Sequence, residues 1–194
     1  MKNIKIILAS QSPRRKELLS LMGLKYEVMP SQKEEDMSEK LSLPKLSEKL
    51  AFQKAEDIFS QTTGDRVVIG SDSMVYLKNK LFGKPKDDKE AISMLKTLSN
   101  NWHKVITSLC VMIEVDGTKK QYLTHSITKV KFMKLTDKMI EKYLQTGEHK
   151  DKAGAYAVQG YSGMFIEKIK GNYATVVGLD TNKLFDILHK EKLI

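Results

Sequence analysis

The sequence predicts a mixed α/β fold, and two features of the 194-residue chain carry this prediction. In the first half, short apolar runs at residues 4–8 and 66–70 alternate with segments of helical periodicity, as in a sheet covered by helices. In the middle, two long strand patterns at residues 105–115 and 122–133 flank a turn at residues 116–118, the strongest hairpin signal in the chain. Alternation combined with a long antiparallel pair indicates a mixed sheet rather than a purely parallel one.

The first helix follows the first strand almost directly. Ser12 suits its N-cap, because the hydroxyl can accept a hydrogen bond from a free amide of the first turn. Pro13 suits the first helical position, where its missing N–H costs nothing, and Gly23 can end the helix in a left-handed conformation. A short strand at residues 25–29 and a polar loop at residues 30–43 are expected next.

Caps and periodicity define the remaining elements. Ser47 is expected to cap the second helix and Thr136 a later one, while Asp87 and Glu90 resemble a capping box at the start of the helix between them. The other expected elements are a hairpin of residues 75–77 and 80–82, a loop at 146–153, a strand at 164–169 and a C-terminal helix starting at Thr181.

Composition restricts the function classes. The chain carries 33 basic and 24 acidic residues, a net charge of +9, but its lysines are dispersed among acids and aromatic content is only 7%. No basic run is interleaved with stacking aromatic residues, so we expect no stable complex with nucleic acid. No apolar stretch approaches the ~20 residues that span a bilayer. The N-terminal apolar run is too short for a signal peptide and Cys110 stands alone, so we expect a cytoplasmic protein.

Two arginines in the first turn of the first helix are an electrostatic anomaly. A helix N-terminus carries partial positive charge, which disfavours Arg14 and Arg15 there unless an anion is bound. Free amides, two guanidiniums and the hydroxyls of Ser10 and Ser12 would then converge on phosphate oxygens. The residues alone leave a solvated basic helix end open as the alternative.

Carboxylates and lysines suited to phosphate chemistry occur elsewhere in the chain. Asp72 follows a buried strand, where α/β proteins place ligand-binding groups, although an Asp that caps a turn also fits there. Glu34 and Glu35 lie in a polar loop, for which simple solvation is the alternative. Lys54 falls among apolar helix positions and Lys84 in a restricted turn, and each is also compatible with a solubilising role.

Five sequence blocks occur in a fixed order from the first strand to the C-terminal third. They are residues 9–19 (ASQSPRRKELL), 70–75 (GSDSMV), 83–85 (GKP), 102–107 (WHKVIT) and 151–160 (DKAGAYAVQG). Together they resemble the Maf (septum formation protein) family of nucleoside triphosphate pyrophosphatases, and the last block resembles the branch that acts on dTTP and UTP. The resemblance covers nearly the whole chain and implies a single Maf-like domain over residues 1–194.

The resemblance implies an ITPase-related fold, an elongated mixed sheet flanked by helices with two lobes and a central cleft. It also implies hydrolysis of dTTP and UTP to the monophosphate and pyrophosphate, a divalent metal, Mg²⁺ or Mn²⁺, and dimerisation in some members. The roles it implies are metal and water binding by Asp72 and Glu35, charge stabilisation by Lys54 and Lys84, and phosphate binding by Ser10, Arg14 and Arg15. We add the hypothesis that the Gln159 amide reads the pyrimidine edge, because it offers both a donor and acceptors.

Two rivals stay open at this stage. One is the same chemistry on a modified nucleotide, and the other is a regulator of cell division that binds nucleic acid without catalysis. The chain also departs from the family pattern at four positions, which are Ser71, Ser73, Asn100 and Asp180. Only the two serines flank the proposed acid, so they are the departures that bear on rate or metal preference.

Overall fold

The computed structural model describes residues 4–34, 40–78 and 80–194, and within them the chain forms seven strands and six α-helices. The strands are β1 (Lys5–Leu8), β2 (Glu27–Val28), β3 (Arg66–Leu77), β4 (Lys80–Phe82), β5 (Trp102–Val115), β6 (Thr118–Phe132) and β7 (Ile166–Lys170). The helices are α1 (Pro13–Leu21), α2 (Leu43–Gln61), α3 (Asp88–Leu98), α4 (Asp137–Gln145), α5 (Tyr173–Val177) and α6 (Thr181–Lys190). Two short 3-10 turns, Ala153–Ala155 and Tyr161–Phe165, precede β7.

The strands form one mixed sheet in the order β2-β1-β3-β5-β6-β7, with β4 paired to β3. Strand β1 runs parallel to both β2 and β3, whereas β3 with β4 and β6 with β7 are antiparallel pairs. The mixed α/β class predicted from the sequence is therefore confirmed. The apolar runs at the end of β1 and through most of β3 are buried, as in a parallel sheet covered by helices.

The chain divides into two compact units, named here the first and the second unit. The first comprises Met1–Asp72, Thr107–Ser126 and Gly178–Ile194, and the second Ser73–Ile106 and Ile127–Val177. In the first unit, α2 packs its small residues Ala51 and Ala55 against the parallel strands. In the second unit, an aromatic-rich core gathers α3, α4 and the segment before β7.

Three local predictions from the sequence are wrong. The strand predicted at residues 66–70 continues to Leu77, so Asp72 lies inside β3 rather than after it. Helix α2 begins at Leu43 with Ser42 as its N-cap residue, and Ser47 is buried within the helix. Pro44 in the first turn explains the earlier start, because proline is pre-organised for that position. Ser12 is the N-cap residue of α1, but its hydroxyl makes no capping bond.

The other caps follow the sequence signals. The Asp87 side chain accepts a hydrogen bond from the Glu90 amide, and Thr136 accepts one from the Met139 amide. Asp180, a departure from the family pattern, caps α6 by accepting from the Lys183 amide. Its carboxylate thus satisfies a backbone donor at the helix start, which explains why an acid is tolerated there.

Candidate active site

The parallel pairing of β1 and β3 gathers polar residues at one end of these strands. Leu8 pairs with Ile69, and the Ala9 amide donates to the Ile69 carbonyl at 2.9 Å. Because the strands run in the same direction, Ser10 and the first turn of α1 follow β1 where β3 reaches Asp72. Ligand-binding groups in α/β sheets typically lie at this carboxyl edge.

Asp72 is a buried acid with one satisfied oxygen. Its exposed fraction is 6%, and Lys54 Nζ of α2 lies 2.8 Å from Asp72 Oδ1. The second oxygen, Oδ2, is buried and has no hydrogen-bond partner among the residues that the structure describes. Since an unpaired buried carboxylate oxygen costs free energy, this atom is suited to a ligand that supplies a positive charge or a proton.

Two hydrogen bonds hold the Arg15 side chain next to Ser10. Its Nε donates to the Gly178 carbonyl at 2.8 Å, and a terminal guanidinium nitrogen donates to Ser10 Oγ at 3.0 Å. Ser10 Oγ also accepts from the Ser12 amide at 3.2 Å. With both of these bonds accepted, the Ser10 hydroxyl keeps its own proton to donate. Arg14 lies beside them in the first turn, half-exposed.

Ser71 connects the surroundings of Arg15 to the sheet, a role that its sequence position alone did not reveal. Its hydroxyl is fully buried and lies within hydrogen-bond distance of two carbonyls, that of Ser108 on β5 at 2.9 Å and that of Gly178 at 3.0 Å. Gly178 has φ of 130°, a conformation that favours glycine. The Gly178 carbonyl lies within hydrogen-bond distance of both the Ser71 hydroxyl and Arg15 Nε.

Lys84 and Gln159 lie in the second unit, on two exposed loops. A backbone hydrogen bond from the Gly154 amide to the Gly83 carbonyl, at 3.0 Å, ties the Lys84 loop to the Ala153–Ala155 turn, which precedes the Gln159 loop. Glu148 shapes the Gln159 loop by accepting from the Tyr161 amide at 2.6 Å and from Ser162 Oγ at 2.8 Å. A Cβ on Gly160 would lie 2.0 Å from the Glu148 carboxylate, so a side chain there would require this carboxylate to shift.

His103, within one of the five blocks, is part of the second unit's core. Its Nε2 lies 2.8 Å from the Tyr156 hydroxyl, and its ring makes edge contacts with Phe132 and Tyr156. Burial lowers the pKa of His103 to about 4 and raises the pKa of Tyr156, so both groups are neutral near pH 7. Their role is to pack and to hold the loop before β7.

Two other titratable groups of the first unit lie outside the proposed chemistry. Burial raises the pKa of the Cys110 thiol to about 12, which makes it inert filling of the core. Burial alone would raise the pKa of Glu48, but hydrogen bonds from Lys45 and His125 hold it below its ordinary value. Glu48 gave no signal in the sequence because it occupies an ordinary helical position that tertiary packing buries.

Glu35, predicted to share a metal with Asp72, lies outside the described residues. Over residues 4–34, 40–78 and 80–194, no group of three or more histidine, cysteine, aspartate and glutamate side chains is arranged to hold a metal ion. No helix in the same ranges is long and apolar enough to cross a membrane.

Comparison with known proteins agrees with the sequence blocks. A family model described as "Maf-like protein" matches residues 5–191. A dTTP/UTP pyrophosphatase of Aquifex aeolicus is 45% identical over 98% of this chain and 97% of its own length. One of Alkaliphilus oremlandii is 46% identical over 94% of both chains. The solved structure of the Staphylococcus aureus Ham1 protein is similar with a TM-score of 0.49 and 13% identity, covering 96% of this chain and 99% of that one.

Proposed function

The chain belongs to the Maf-like protein family, and we propose that it is a nucleotide pyrophosphatase that hydrolyses dTTP and UTP to the monophosphate and pyrophosphate. Relatives that carry this name match almost their whole length to this chain at 45–46% identity. The observation that carries the proposal is Asp72, a buried acid that holds a lysine on one oxygen and has no described partner on the other. We propose that residues 1–194 act as one catalytic domain.

The start of α1 binds the triphosphate. Arg15 is fixed through Gly178 and Ser10, so little side-chain entropy is lost when its guanidinium meets a phosphate oxygen. The Ser10 hydroxyl donates its remaining proton to a second oxygen, and Arg14 adds a further positive charge. Such pre-organised donors stabilise the charge that develops on the phosphates during hydrolysis.

Asp72 acts on the attacking water. A carboxylate whose only described partner is Lys54 can accept a proton from water through Oδ2 or orient it by a hydrogen bond. Lys54 keeps the carboxylate in place, because Nζ and Oδ1 are 2.8 Å apart and both side chains are largely buried. Attack at the α-phosphorus releases pyrophosphate, and the monophosphate retains the oxygen delivered by water.

A divalent metal, Mg²⁺ or Mn²⁺, fits the unpartnered oxygen of Asp72, since both ions prefer carboxylate oxygens. We propose that Asp72 and Glu35 hold it. When bound, such an ion neutralises phosphate charge and makes a coordinated water more acidic.

The second unit supplies the remaining proposed groups. Lys84 adds a cation for the phosphates, and the Gln159 amide hydrogen-bonds the O4/N3 edge of uracil or thymine. The bond between the Gly83 and Gly154 backbones supports the proposal that Lys84 and Gln159 act together, because it fixes the Lys84 loop to the turn that precedes the Gln159 loop. Gln159→Ala is therefore expected to change the preference among bases more than the overall rate.

We propose a cytoplasmic location, which the free, buried Cys110 supports since thiols persist in reducing compartments. A homodimer is consistent with the family resemblance. Sedimentation of the purified chain measures its oligomeric state directly.

The deciding experiment is pyrophosphate release from a panel of canonical and modified nucleoside triphosphates with Mg²⁺ or Mn²⁺. Release from UTP and dTTP above the other nucleotides supports the proposal. Release from modified nucleotides alone keeps the reaction and overturns the substrate assignment. If no nucleotide yields pyrophosphate with either metal, the enzymatic assignment is wrong and a non-catalytic regulator takes its place.

A further inference from the structure

Sheet pairing in the second unit gathers lysines that are dispersed in the sequence. Lys129 of β6 lies directly opposite Lys170 of β7, and Lys131 lies opposite Lys168. Lys104 of β5 and Lys129 line the same cavity as Lys170, so their side chains share one face of the sheet. This face, named here the basic face, consists of Lys104, Lys129, Lys131, Lys168 and Lys170 with Trp102.

No carboxylate of the described residues neutralises the basic face. Among the described residues, none of its five lysines forms an ion pair, although Lys131 donates to the carbonyl and side-chain oxygens of Asn100. Like charges directly opposite each other on neighbouring strands are destabilising. Lysines on β7 have a structural explanation, since charges on an edge strand discourage pairing with another chain. That explanation does not apply to Lys104 and Lys129, because they lie on the inner strands β5 and β6.

The basic face also carries an exposed aromatic ring. Trp102, the only tryptophan in the chain, is 37% exposed, and Lys170 Nζ lies 5.2 Å from its ring centroid. Trp102, His103, Lys104, Lys129 and Lys170 line a cavity of about 310 Å³. Lys104 Nζ lies 5.4 Å from the ring of Tyr76, half-buried on β3. Aromatic rings beside lysines provide stacking surfaces together with positive charge.

We propose that the basic face binds single-stranded nucleic acid. Lysines that form no ion pair with a described residue lie across three neighbouring strands and are complementary to a chain of phosphates, and Trp102 offers a ring on which a base can stack. An acidic peptide would use the lysines but not the ring. The sequence predicted no stable nucleic-acid complex, because no basic run along the chain contains aromatic residues. Strand pairing brings separate lysines together beside Trp102, so a basic surface with an aromatic ring forms without such a run.

The single tryptophan makes binding directly observable. Titration of the whole protein with a short oligothymidylate or oligouridylate at low salt is expected to quench Trp102 fluorescence, with affinity that falls steeply as salt rises. Base-free polyphosphate and the mononucleotide UMP are measured alongside. Equal affinity for polyphosphate would overturn the assignment to nucleic acid, and equal affinity for UMP would reduce the face to a mononucleotide site.

Matched variants separate the basic face from general positive charge. The double variant Lys129→Gln/Lys170→Gln is expected to bind a labelled oligonucleotide about tenfold more weakly. The plot of log K for oligonucleotide binding against log salt concentration should have a slope smaller in magnitude by about 1.4, because each lysine that no longer contacts a phosphate lowers this slope by ~0.7. The control Lys138→Gln/Lys142→Gln makes the same charge change on α4, which packs on the core of the same unit. Equal weakening in both variants would overturn the proposal.

Trp102→Ala tests the stacking contribution by anisotropy of the labelled oligonucleotide. Base stacking predicts affinity lower by roughly five- to a hundredfold. Unchanged affinity would overturn the role of the ring, and sedimentation showing that Trp102→Ala dissociates a dimer would assign the face to a second copy of this chain. Pyrophosphate release by the lysine variants is expected to match that of the unmodified protein, so this test is independent of the proposed hydrolysis.

Discussion

Each unit buries a polar centre, formed around Asp72 in the first unit and around His103 in the second. The two centres differ in the chemistry of the buried atom that has no hydrogen-bond partner among the described residues. In the first of these centres a carboxylate oxygen of Asp72 has no described partner, whereas in the second the Nδ1 atom of His103 has none. A buried carboxylate oxygen carries charge and is costly to leave unpaired, while a neutral imidazole nitrogen costs far less. The comparison teaches that burial alone does not mark an active site. The difference between Asp72 and His103 is the charge of the group that carries the unpartnered atom.

The largest expected effect comes from neutralising Asp72. Asp72→Asn keeps the shape and an acceptor for Lys54 but removes the negative charge, so we expect kcat for UTP and dTTP to fall by roughly 10²–10⁴-fold. Pyrophosphate release measures it. Glu48→Gln is the matched control, a buried acid of the same unit bound to Lys45 and His125. Equal losses in both variants would remove the distinction drawn for Asp72.

A second large effect is expected from crowding the contact between α2 and β3. A Cβ on Gly70 would lie 2.3 Å from the Ala51 carbonyl and 2.8 Å from the Ala55 amide. Gly70→Ala should therefore displace α2, with a cost of about 1–3 kcal/mol and a thermal midpoint lower by roughly 3–10 °C. Because Lys54 lies on the same helix, activity should fall as well. Gly83→Ala, where a Cβ meets nothing within 4 Å, should leave the midpoint unchanged.

The second unit's polar centre is expected to respond to acid. The pKa of His103 is about 4 in the folded protein, below its ordinary value near 6.5, so the unfolded chain takes up the proton first as pH falls. The contribution of neutral His103 to the free energy of unfolding is complete above about pH 6.5. As pH falls towards 4, up to about 3 kcal/mol of it is lost. Urea unfolding of the protein and of His103→Gln across this range measures the difference. If the free energy of unfolding had the same pH dependence in both proteins, this prediction would be wrong.

The smallest expected effect concerns the support of Arg15. Ser71→Ala removes a hydroxyl within reach of the Ser108 and Gly178 carbonyls, and we expect kcat/KM for UTP to fall about fivefold, equivalent to one net hydrogen bond. Ser108→Ala removes a buried hydroxyl on the neighbouring strand that has no described partner, so it should change little. If Ser71→Ala leaves kcat/KM unchanged, the link through Gly178 does not affect the substrate.

Local signals predicted much of the fold because they act over a few residues. The capping residues Asp87 and Thr136 and the hairpin turn at Asp116 are where the sequence puts them. Helix α5 was missed, since five residues carry too little periodicity to show a pattern. The length of β3 was underestimated because Gly70 and the polar residues 71–73 look like a loop, although packing against α2 and the neighbouring strands keeps them extended.

The sequence by itself determined the family, the α/β class and the residues proposed for phosphate chemistry, because each depends on residue identity at short spacing. Only the tertiary structure decided that Lys54 meets Asp72, that Gly178 joins Ser71 to Arg15, and that the lysines of three strands form the basic face. The first two of these links join residues between 18 and 163 positions apart. Strand register and helix packing set such distances, and no local pattern along the chain records them.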